Sequence, residues 1–122
     1  MPKREIVWVI VSTNSLKEAD IIGMACLKRR LCACYGIIPR LKSVYFWPPR
    51  LPNKRASRGG TKFNKLETSK GPLLIVESLE KHYAKITKLV KLLHSDKIPF
   101  IGRCKIQAVE KIFFSWLKTE VS

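Results

Sequence analysis

The chain is short of acid: against 24 Lys and Arg it carries 9 Asp and Glu, a formal net charge of +15 over 122 residues. Such an imbalance attracts nucleic acid, anionic headgroups or acidic proteins and says nothing about the fold. No apolar run approaches the roughly eighteen residues of a membrane-spanning helix, so no membrane partner is expected. The start, MPKREIVWVIVST, has no small-residue cleavage site behind its basic tetrapeptide, so no signal peptide is expected and a cytoplasmic location is. Cysteines are few and unevenly placed (Cys26, Cys32, Cys34 and Cys104), so reduced thiols are expected rather than a disulfide framework. Also missing are a Ser-His-Asp ordering, a phosphate-cradling glycine loop, a credible carboxylate pair and any internal repeat. No enzymatic activity is expected.

What is present is an ordinary globular composition, 46% hydrophobic. A chain of this length buries about two-thirds of its unfolded surface, enough for one domain over 1–122 with no cofactor required for folding. Residues 5–13 (EIVWVIVST) read as a central strand covered on both faces. Ser15 and Glu18 form a capping box that opens a helix to about residue 30, with Leu16, Ala19, Ile22 and Cys26 on its apolar face.

The most informative stretch is 32–47, CACYGIIPRLKSVYFW, whose β-branched and aromatic residues suit a pleated, largely buried surface. Pro39 cannot donate to a ladder and requires a bulge, an edge or a change of partner. At about 3.3 Å per residue such a strand approaches 50 Å, against a radius of gyration of about 14 Å for a domain this size. Part of it is therefore expected to pair with another chain. Residues 48–71 read as a long, basic, flexible loop, 72–78 as a third strand, about 79–95 as a second helix, 98–107 as a fourth strand, and the residues around Val109–Leu117 as a short amphipathic helix. This order gives the fold class α+β, a ferredoxin-like βαββαβ sandwich with a long bent second strand and a C-terminal helix.

Several residues carry a further resemblance: Ala33-Cys34, Pro39, Ser43, Tyr45 and Trp47, the LLI of the third strand, His94 and Pro99, and Phe113-Phe114-Ser115-Trp116-Leu117. Together they resemble the CutA divalent-cation-tolerance proteins. The resemblance implies a homotrimer whose long hairpin reaches into neighbouring subunits, a role in divalent metal tolerance with copper foremost, and no catalytic reaction. Where that family usually reads His-Pro-Tyr-Glu and Pro-Glu-Ile, this chain has His94-Ser95-Asp96-Lys97 and Pro99-Phe100-Ile101.

The metal candidates are Cys34 with Cys32 or His94. The two cysteines are two apart, so on a strand both thiols would share a face about 7 Å apart, and soft thiolates suit Cu(I) or Zn(II). Small buried hydrophobes are the alternative for the cysteines, and a helix cap for His94. Tyr45, Trp47, Pro39 and Trp116 are the candidates for the trimer interface. Arg50, Lys54, Arg55, Arg58 and Lys62 are candidates for anion binding, which with the Lys81, Lys85, Lys88 stripe supports a second reading as a nucleic-acid or anionic-surface binding module on the same scaffold. His82 has no evident partner in the sequence.

Overall fold

The computed structural model describes residues 5–48 and 65–121. Four strands, β1 (Ile6–Ser12), β2 (Cys34–Trp47), β3 (Lys65–Leu79) and β4 (Ile101–Ile106), form one antiparallel sheet in the order β2-β3-β1-β4. Helices α1 (Leu16–Lys28) and α2 (Tyr83–Leu93, entered through a 3-10 turn at Glu80–His82) cover one face, and α3 (Lys111–Val121) lies against one end of the other. This is the expected ferredoxin-like arrangement.

Alternation along β1 builds the layers. Val7, Val9 and Val11 point to the helices and are fully buried with Ala19, Ile22 and Cys26 of α1 and Ile86, Leu89 and Val90 of α2. Ile6 points the other way, into a second cluster with Leu79, Leu117 and Val121. The expected face of α1 is corrected at one position: Leu16 is 53% exposed, because it sits in the first turn, beyond the edge of the covered sheet. In α2, Leu89 packs in the core and Leu93, at the last turn, is exposed.

Helix α1 ends earlier than the sequence suggested. The Leu31 N–H donates to the Cys26 carbonyl and the Arg30 N–H to that of Leu27, with Arg30 at φ 56°, a Schellman turn in which arginine takes the left-handed position usual for glycine. The turn folds Leu31 and Cys32 back under the helix, so β2 starts only at Cys34.

Pro39 falls at a bulge. Ile38 pairs with Leu73 and Leu41 with Gly71, so three steps on β2 oppose two on β3. The extra residue exchanges the faces of everything beyond it: Leu41, Ser43, Tyr45 and Trp47 continue the face not covered by α1 and α2, while Lys42, Val44 and Phe46 take the other.

The expected loop over 48–71 is corrected at its far end, where Lys65–Lys70 belong to β3 and pair with 42–47 of β2. Their polar, basic composition hid the strand, because neither face there is buried by the chain's own helices. Beyond Gly71, whose missing side chain lets the backbone approach the Thr13 carbonyl, the two strands leave the sheet body as a free ribbon.

Candidate functional site

The uncovered face of the sheet is the place where sequence-derived candidates and chemistry meet. At its centre, one row crosses the sheet: Cys34 pairs with Glu77, Glu77 with Trp8, and Trp8 with Cys104. The Trp8 Nε1–H donates to Glu77 Oε2 at 3.2 Å. Burial pushes the Cys34 thiol above its ordinary value, and the neighbouring Glu77 carboxylate, which also accepts a hydrogen bond from it, pushes it further. A cation at this row would find a thiol beside a carboxylate.

The two other metal candidates lie elsewhere. Cys32 is 1% exposed, packed in the helix-side core, because the turn after α1 keeps it out of the strand. The two thiols therefore do not share a face, contrary to the spacing argument. Burial raises the Cys32 thiol to about 12, with Cys26 and Cys34 adding to it.

His94 is buried at the other end of β1, where both ring nitrogens are engaged. Nε2 lies 2.6 Å from the Ser12 carbonyl, and Nδ1 accepts the Asp96 N–H at 2.9 Å, so Nε2 is the donor. From the Trp8 level of Cys34 to Ser12 is four residues, about 13 Å along the sheet. No single ion reaches both. Among the described residues no group of three or more His, Cys, Asp or Glu gathers around a common point.

His94 belongs instead to a polar clamp that joins the loop before α1 to the loop after α2. Glu18 accepts from the Asn14 N–H and the Ser95 N–H, both at 2.8 Å, and Asn14 Nδ2 donates to Ser95 Oγ and Asp96 Oδ1. The Ser15 hydroxyl accepts from the Glu18 N–H as the capping box requires, while the Glu18 carboxylate reaches one residue further back than expected. His82 also gains a partner that the sequence did not reveal, the Val121 carbonyl at 2.6 Å, which ties α3 down.

Beside the clamp opens a groove of about 960 Å³ between the ribbon and the loop after α2, lined among others by Tyr45, Trp47, Glu67, Asp96, Lys97 and Phe100. Tyr45 and Trp47 meet edge to face, 6.4 Å between centroids, and remain 42% and 53% exposed. Trp116 lies on α3 against Phe113 and is partly exposed. The anion candidates Arg50, Lys54, Arg55, Arg58 and Lys62 lie outside the described residues. Lys81, Lys85 and Lys88 form an exposed, solvated face of the second helical segment.

A family model for the CutA1 divalent ion tolerance protein matches residues 7–56. Along nearly its whole length the chain is similar to CutA divalent-cation tolerance proteins. The divalent-cation tolerance protein CutA of Archaeoglobus fulgidus is 26% identical over 114 residues, covering 93% of this chain and 96% of that relative. Its solved structure, described as that of a periplasmic protein, superposes with a TM-score of 0.80 over 96% of this chain and 99% of its own. CutA of Thermus thermophilus is 26% identical over 110 residues, covering 90% of this chain and 92% of the relative. At 22% identity the CutA1 structure from Oryza sativa shares the fold, with a TM-score of 0.80 over 97% and 94% of the two chains. Family relatives are thus named for tolerance of divalent cations.

Proposed function

We propose that this protein is a non-enzymatic, homotrimeric CutA-type protein of the cytoplasm that acts in divalent metal tolerance, with copper as the ion and Cys34, beside Glu77, as the residue that meets it. The observation that carries the reading is the unpartnered sheet face. Trp8, Ile38, Leu41, Tyr45, Trp47 and Phe100 are all between 37% and 59% exposed on it or at its margin. Exposed apolar area of this kind is ordinarily covered by association. Ribbon and sheet face are different surfaces, so a contact between them in successive copies is head-to-tail and must close into a ring to end.

Metal binding in this reading releases the Cys34 proton, so affinity rises with pH, because the thiol is held above its ordinary value. Cys32 and His94, the other metal candidates, contribute packing and the clamp respectively. The experiment is a copper titration of the protein and its Cys34→Ser variant at two pH values, with mass by light scattering alongside. Tight binding that strengthens with pH and is lost in Cys34→Ser supports the site. Equal binding by both proteins removes it, and a monomer at micromolar concentration removes the trimer.

A further inference from the structure

The ribbon has two faces, and only one of them lines the groove. On the other, Lys42 stands directly opposite Lys70, Val44 opposite Thr68, and Phe46 opposite Leu66. Like charges in a cross-strand pair repel, and among the described residues neither lysine has an acidic partner. Phe46 is 64% exposed and makes no ring contact among the described residues, with Leu66 beside it at 66%. The described ribbon, with its bulge, holds Arg40, Lys42, Lys65 and Lys70 against Glu67 alone, and the 49–64 sequence that joins its strands adds five basic residues and no acid.

We infer that this outward face of the β2–β3 ribbon binds single-stranded nucleic acid, with phosphates bridging Lys42 and Lys70 and an unpaired base stacked on Phe46. A phosphate between the two lysines removes their repulsion, which otherwise costs stability with nothing in return. The exposed ring two rows away, about 13 Å along the strand, offers the flat apolar surface on which bases of any identity stack. A lipid surface fits less well, because on this face Phe46 and Leu66 alternate with Val44, Thr68, Lys42 and Lys70 and offer no broad apolar area to bury. The inference is independent of the metal reading, and of the trimer it asks only that the groove face, not this one, meets the other copies.

The test measures binding of a short labelled single-stranded RNA, and of the same sequence as a duplex, to the full chain by fluorescence anisotropy over a salt series. Wild-type protein is expected to bind the single strand, with affinity falling as salt rises. In the Lys42→Gln/Lys70→Gln double variant the slope of log affinity against log salt falls by about 1.4, the value for two phosphate contacts on a single strand. Phe46→Ala weakens single-strand binding about tenfold and leaves duplex binding unchanged. Without RNA the double lysine variant melts at a slightly higher temperature than wild type, which shows that it is folded and that the repulsion is real. Unaltered RNA binding in both variants overturns the inference. So does retention on phosphatidylserine vesicles that RNA fails to compete away, and so does loss of the oligomer in Phe46→Ala, which would assign this row to a contact between copies.

Discussion

The two halves of β3 behave as different strands. From Pro72 to Leu79 buried and half-buried residues alternate, with Leu74, Val76 and Ser78 sealed under the helices, whereas every residue from Lys65 to Lys70 is exposed. Hydrogen-bond pairing with β2 continues through both halves. Backbone pairing alone therefore does not make a core; a covered face does. The sheet body is stabilised by its own helices, and the ribbon is a paired but unburied element whose apolar side chains remain available to something outside the chain.

That contrast can be broken by mutation. The largest effect is expected at Leu74→Ala, which opens a cavity under α1 and α2 and should cost about 2–5 kcal/mol in a urea melt. His94→Ala comes next, at about 2 kcal/mol, because the Ser12 carbonyl and the Asp96 N–H both lose their partner. The copper titration proposed for Cys34 should read the same in that variant, since the Trp8 row and the Ser12 carbonyl are four residues apart on β1.

Glu18 offers a pH test of the clamp. Burial raises its carboxyl, but hydrogen bonds from Ser95 and Asn14, with His94 nearby, outweigh this and hold it below its usual 4.5. A carboxyl depressed in the folded state adds stability above the unfolded value and loses it as pH falls through the folded one. Glu18→Gln should accordingly be less stable than wild type at neutral pH, and the gap in denaturation midpoint should close below about pH 4.5. A gap that persists into acid would show that the carboxylate's charge is not what the clamp uses. The smallest effect is Leu66→Ala, within about 0.5 kcal/mol despite its place in the same strand as Leu74. A loss as large as that at Leu74 would mean that the ribbon face is buried after all.

Residue spacing foretold the body well. The continuous apolar run of β1, the Ser15 cap and the 3.6-residue period of α2 each have one physical reading, because burial against neighbouring layers enforces them. It foretold the site poorly. The two-residue spacing of Cys32 and Cys34 suggested a shared face, but a Schellman turn lodged in Arg30, a residue type that gives no turn signal, ended the helix early and sent Cys32 into the core. The cross-strand neighbours Glu77, Trp8 and Cys104 lie far from Cys34 in sequence, and only the strand register brings them into one row.

By itself, then, the chain's pattern determined the order of elements, the α+β class and the surplus length of β2, since these follow from local periodicity and from Pro39. Tertiary structure decided which way each side chain faces once that proline adds its extra residue. A one-residue bulge carries no signal in hydrophobic content, yet it inverts every face beyond it. That inversion places Tyr45 and Trp47 over the groove and leaves Lys42 and Phe46 looking outward, beside Lys70 and Leu66 of the unbroken β3.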